Sequence, residues 1–144
     1  MTSKEAEENA PWRVHFFRRE RGGDLSEAVP AMGFLKSVPS GVAAKIQAVL
    51  EAVAEAPPPS FSGGGMWKAM RGDMAGFYEV CVQGSDANYR LLCLLDRHAD
   101  DLGGSSIICV YGFSKPKRQS ASSRDYRQAR KNREEFERTR NVLN

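Results

Sequence analysis

Histidine and paired cysteine are what this chain most lacks. Only His15 and His98 occur in 144 residues, and they are isolated from one another and from any acidic partner at fixed spacing, which argues against histidine acid–base work. Cys81, Cys93 and Cys109 are odd in number and show no CxxC spacing. That pattern excludes a disulfide framework and a zinc site, and points to core thiols. No apolar run approaches the roughly 18 residues needed to cross a bilayer. The N-terminus carries Glu5, Glu7 and Glu8 near Lys4, without the basic-then-apolar order of a secretory leader. The expectation is a cytoplasmic protein with no membrane partner. There is no internal repeat, and no low-complexity segment beyond the Pro57-Pro58-Pro59 and Gly63-Gly64-Gly65 clusters.

Net charge is also small, at +3, but its distribution is uneven. From Lys115 onward come Lys117, Arg118, Arg124, Arg127, Arg130, Lys131, Arg133, Arg138 and Arg140, against Asp125, Glu134, Glu135 and Glu137. Such an end could neutralise phosphates or an acidic protein segment. It could equally be a solvated helix held by Arg130–Glu134, Lys131–Glu135 and Glu134–Arg138 pairs one turn apart.

The length suits one domain with one two-layered core, assigned to residues 11–140 after a disordered tail over 1–10. Trp12 to Phe17 read as a strand. Ala31 to Val38 read as a short helix closed by Pro39. Ser40 is the expected N-cap of a longer helix, in which Val42, Ile46, Val49, Leu50 and Val53 recur at intervals of three and four until the prolines. Phe77 to Gln83 and Asn88 to Asp96 flank a turn-like Gly84-Ser85-Asp86-Ala87 and predict an antiparallel hairpin. If Gln83 faces Asn88, then Cys81 faces Arg90. Tyr78, Val80 and Val82 then share the core face, with Phe77, Glu79, Cys81 and Arg90 on the other. Ser106 to Phe113 is a third, central strand. A last helix begins near Ser122 or Ser123, where Ser122-x-x-Asp125 approximates a capping box, and carries a thin stripe of Tyr126, Ala129 and Phe136. Helices on an antiparallel sheet make an α+β sandwich.

Five motifs carry a resemblance. Trp67-Lys68, Gly72-Asp73, Tyr78-Glu79-Val80, Tyr89-Arg90-Leu91-Leu92 and Gly112-Phe113-Ser114-Lys115, continuing to Asp125-Tyr126-Arg127-Gln128-Ala129, together resemble the RelE/ParE superfamily of type II toxins, especially its HigB-like, phage-associated branch. The resemblance spans roughly residues 30–135. It implies a small curved antiparallel sheet with N-terminal helices on one face and a C-terminal helix beside the other. It also implies a ribosome-dependent mRNA endoribonuclease that drives a ribose 2′-hydroxyl onto the adjacent phosphate without metal or cofactor. Its implied partners are mRNA on the ribosome and a cognate antitoxin, often with a helix-turn-helix domain.

Carried over by residue, the resemblance gives Arg90 to the reacting phosphate and Lys115 to charge stabilisation or proton donation. Tyr126 is given to base stacking or to orienting the 2′-hydroxyl, and Glu79 falls where HigB-like relatives tend to carry glutamate, a carboxylate that would repel the scissile phosphate unless it acts as the base. Lys68, Arg71, Lys117, Arg118, Arg124 and Arg127 are expected to bind RNA. Cys81 departs from the family, which usually places arginine or lysine there. That substitution keeps open a non-catalytic phage-derived binding module or attenuated toxin, and the superfamily resemblance itself leaves a ParE-like inhibitor of DNA gyrase as a further reading.

Overall fold

The computed structural model describes residues 10–57 and 65–143. Two strands and three helices of the first half lead into a hairpin and a long strand, and a helix closes the chain. The strands are β1 (Arg13–Phe16), β2 (Trp67–Ala69), β3 (Phe77–Gln83), β4 (Ala87–Asp96) and β5 (Ser106–Pro116). The helices are α1 (Leu25–Ala28), α2 (Pro30–Ser37), α3 (Ser40–Glu55) and α4 (Ser123–Thr139). The strands form one sheet in the order β1-β5-β4-β3-β2. The class is α+β.

The sheet is mixed, which corrects the antiparallel expectation. β2, β3, β4 and β5 run antiparallel in succession, but β1 lies parallel to β5, with Arg13 opposite Ser106 and Phe16 opposite Cys109. Strand direction is invisible in a short apolar segment. It is set here by α1 to α3 and the hairpin, which carry the chain across the sheet before β5 returns beside β1. The hairpin has the expected register, with Gln83 opposite Asn88 and Cys81 opposite Arg90. Its connection is one residue shorter than expected, because Ala87 already belongs to β4 and its carbonyl accepts from Gly84 N–H at 2.8 Å.

One face of the sheet carries α2 and α3. Phe34, Leu35, Ile46, Val49, Leu50 and Val53 pack there on Val80, Val82, Leu91, Cys93, Ile107 and Cys109. Ser40 is the first helical residue of α3 rather than its cap. Pro39 takes that place, its carbonyl accepting from Val42 and Ala43 N–H at 2.9 and 3.0 Å. α3 ends at Glu55, just before Pro57. Pro58, Pro59, Gly63 and Gly64 lie outside the described residues, as does the tail through residue 9.

The opposite face is also a core, which the hairpin pattern alone did not show. Phe17, Phe77, Leu92, Leu94, Ile108 and Val110 are covered by Ala129 and Phe136 of α4. The cations late in the chain hold this helix in place instead of forming the expected turn-to-turn pairs. Arg138 bonds Glu20 through two contacts of 3.1 Å, Arg140 reaches Asp96 and Asp101 at 2.8 and 2.9 Å, and Arg133 donates to the Ala75 carbonyl at 3.1 Å. Arg133 also lies over the Phe77 ring. Among the described residues, the one ion pair at i,i+4 spacing on α4 is Arg133–Glu137, at 3.9 Å.

Candidate functional site

A one-residue irregularity in β5 determines what this site contains. Leu92 pairs with Tyr111 and Cys93 with Cys109, so Val110 has no cross-strand partner and bulges. Before the bulge, Ile108 faces α4 while Ile107 and Cys109 face α2 and α3. After it the parity reverses, and Tyr111, Phe113 and Lys115 join the α4 face while Gly112 turns toward Phe34. Without the extra residue, Lys115 and Phe113 would lie on the opposite side of the sheet from Arg90. The carbonyl of the bulged Val110 has a partner on α4. Asn132, a buried polar residue on α4, donates to it at 2.8 Å, and Gln128 in turn donates to Asn132 at 3.0 Å.

The face beside the N-terminal end of α4 therefore gathers residues from four strands. Opposed partners share a face, so Lys68 of β2 stands beside Glu79 of β3, Cys81 beside Arg90, Arg90 beside Phe113, and Asn88 beside Lys115. Arg90 reaches diagonally to Glu79, its Nη1 donating to Oε2 at 3.1 Å and Oε1 at 3.3 Å. The side chains are 21% and 10% exposed, so this pair is mostly sheltered from screening. The Arg90 Nε and the Asn88 Oδ1, on the same face, are buried without a hydrogen-bond partner.

Tyr126 enters from the first turn of α4. Its ring packs edge-on to Phe113, with centroids 6.0 Å apart. Burial raises its phenol above the usual tyrosine range and the Glu79 carboxylate adds to that, while the nearby Arg90 guanidinium opposes it. Arg90, Glu79 and Tyr126 are thus one electrostatic cluster. Lys115 is at the rim, half-buried, with its Nζ donating to its own turn at the Gln119 carbonyl, 2.5 Å away. Lys68, Arg71, Lys117, Arg118, Arg124 and Arg127 are exposed, with Arg118 in the left-handed region at φ 68°.

The cysteines divide. Cys93 and Cys109 are fully buried neighbours, Sγ to Sγ 3.8 Å, and burial pushes the Cys93 thiol well up. Cys81 is partly exposed beside Arg90, so it belongs to the open face and not to the core. Trp67 is a core residue, 5% exposed and stacked on Tyr78. His15, on β1 and two strands from Arg90, bonds the Leu102 carbonyl, and among the described residues no cluster of three or more His, Cys, Asp and Glu side chains converges as a metal site would require. An open concavity between α1, α2 and β5 lies on the other face and is lined by Asp24 and Glu27, a poor fit for phosphate.

Three supporting residues escape a sequence reading: Tyr111, Asp125 and Asn132. The Tyr111 hydroxyl donates to Asp125 at 2.7 Å. Asp125 therefore does not complete a capping box; Ser122 alone caps α4, accepting from Arg124 N–H at 3.2 Å. An asparagine within an otherwise thin apolar stripe was the available signal for Asn132.

No family model matches the chain, and no curated protein is significantly similar to it. Among solved structures, it is similar to a chain of the RelBE2 toxin–antitoxin complex from Mycobacterium tuberculosis, with a TM-score of 0.45 and 16% identity over 74% of this chain and 100% of that one. Among the described residues no helix is long and apolar enough to cross a membrane.

Proposed function

We propose that this protein is the toxin of a type II toxin–antitoxin pair in the RelE/ParE superfamily, HigB-like branch, and that it cleaves mRNA on the ribosome. The observation that carries this reading is the Glu79–Arg90–Tyr126 cluster on a sheet face rimmed by Lys68 and Lys115. A carboxylate, a guanidinium and a phenol within one cluster supply what 2′-hydroxyl attack needs. Glu79 accepts the 2′ proton, Arg90 holds the negative charge that builds on the pentacoordinate phosphate, and Tyr126 orients the ribose or stacks on a base. Lys115, leaving its contact with Gln119, stabilises or protonates the departing 5′-oxygen. The products are a 2′,3′-cyclic phosphate and a 5′-hydroxyl.

Lys68, Arg71, Lys117, Arg118, Arg124 and Arg127 hold flanking phosphates and set register without reading sequence. The antitoxin, a small cytoplasmic partner with a helix-turn-helix domain, covers this basic face and keeps mRNA out. Binding of substrate requires the Arg90–Glu79 pair to loosen, because the phosphate and the carboxylate compete for one guanidinium.

The same ion pair favours a second reading. Arg90 is committed to Glu79, and the neighbouring position holds Cys81 in place of a cation. A protein arranged this way binds a partner or nucleic acid without cleaving. Controlled expression in bacteria, with mRNA 5′ ends mapped minutes after induction, separates the two. New ends inside translated frames, absent when initiation is blocked, support cleavage. Growth arrest with intact mRNA points to gyrase, and neither effect points to a binding module.

A further inference from the structure

We propose that Tyr111 is a positioning residue for this site: through Asp125 it holds the first turn of α4 against β5 and so places Tyr126 beside Arg90 and Glu79. This rests on the cleavage reading for its consequence, but its geometry stands independently. A helix start is the end most prone to fray, because its first N–H groups have no intrahelical partner. Here Ser122 satisfies one of them, at Arg124, and between Ala121 and Tyr126, which pack at the edge of the core, residues 122–125 carry no apolar side chain. The Tyr111 hydroxyl supplies a directional polar anchor within that stretch, 2.7 Å from Asp125 Oδ1, immediately before Tyr126.

Tyr111 is able to do this only because of the bulge at Val110, which turns it onto the α4 face. Its ring continues to Phe113, with centroids 6.1 Å apart, and Phe113 meets Tyr126 edge-on. Burial, reinforced by Asp125, holds the Tyr111 phenol protonated well above neutrality, so it remains a donor at any physiological pH. Asn132 bonds the Val110 carbonyl two turns further along the same helix. Successive residues of the bulge thus tether α4 at two points. Loss of the Tyr111 contact should free the first turn and leave the second tether intact.

Tyr111→Phe and Asp125→Ala remove the bond, whereas Asp125→Asn retains an acceptor. Amide hydrogen exchange over 123–128 and over 132–138 should be compared with the ring contact between Phe113 and Tyr126, read by nuclear Overhauser effects, and with the kcat–KM split of mRNA cleavage. The two bond-removing variants should speed exchange over 123–128 by about tenfold, with 132–138 unchanged, and weaken the ring contact. They should lower kcat by about tenfold with KM within about twofold, since geometry and not affinity is lost. Asp125→Asn should restore both. Wild-type exchange and ring contact in Tyr111→Phe would overturn the proposal, as would Asp125→Asn behaving like Asp125→Ala. A wild-type protein that does not cleave would count against the nuclease reading alone, with exchange and ring contact still deciding the tether.

Discussion

Arg90 donates to both carboxylate oxygens of Glu79 across the diagonal of the hairpin, 3.1 and 3.3 Å away, while its Nε stays buried without a partner. A guanidinium only partly satisfied and only partly exposed retains donors for another anion. Removing it also leaves Glu79 as an unpaired, nearly buried charge. Arg90→Ala should therefore cost about 1–3 kcal/mol in stability and abolish any growth arrest, while Glu79→Gln should cost less. Urea denaturation read by circular dichroism checks the first effect and an induction assay the second. An Arg90→Ala protein that still arrests growth would remove Arg90 from the mechanism.

Tyr126→Phe keeps the ring against Phe113 and deletes only the hydroxyl facing Arg90 and Glu79. Stability should change by no more than about 1 kcal/mol, and growth arrest should be relieved. The contrast with Arg90→Ala is informative, because a stacking-only role would leave Tyr126→Phe active.

Cys81→Arg places a second cation opposite Arg90 on the open face, where Glu79 can accept from it. Toxicity should increase. Equal growth at equal expression would show that the missing cation at this position does not attenuate the site.

Much of this arrangement was legible beforehand. Gln83 and Asn88 bracket turn residues strongly enough to fix the hairpin register, and that register brought Arg90 opposite Cys81 and onto the face of Glu79. The long aliphatic period of α3 and the apolar Ile107–Val110 run of β5 were equally plain. What stayed hidden was parity. Because both faces of β5 are buried, Ile107 to Tyr111 shows no alternation, so the bulge at Val110 leaves no trace in hydrophobicity. The side chosen by Phe113 and Lys115 follows from that bulge. β1 has only four residues, too few for its direction to be read. The polar tethers at Asp125 and Asn132 are long-range pairings between segments whose composition alone resembles any solvated helix.

Asn132→Leu tests the bulge directly. It deletes the amide that donates to the buried Val110 carbonyl and should cost about 1–3 kcal/mol. Gly112→Ala should destabilise by a comparable amount for a different reason: a methyl group there would meet the Phe34 side chain at 2.2–2.8 Å. Thermal unfolding of both variants checks these costs, and an unchanged midpoint for Asn132→Leu would contradict the role given to the Val110 contact.

The tyrosines predict alkaline sensitivity. Tyr111 and Tyr126 ionise later in the folded chain than in the unfolded one, both chiefly through burial. Their contribution is complete below about pH 10, the unfolded-state value, and is lost as pH rises through their folded values. Cys93, also raised by burial, adds loss in the same direction. Tyr111→Phe should flatten the decline in stability above pH 10. A slope identical to wild type in pH-dependent urea titrations would contradict this.

The most direct measurement of the central claim is cleavage by purified protein of a message held on translating ribosomes, with a parallel message carrying a single 2′-deoxyribose immediately 5′ of the cut. The account predicts a 2′,3′-cyclic phosphate and a 5′-hydroxyl on the normal message, and no cut at the deoxy position. Cleavage that persists at the deoxy position, or no cleavage at all from a correctly folded protein, would contradict it.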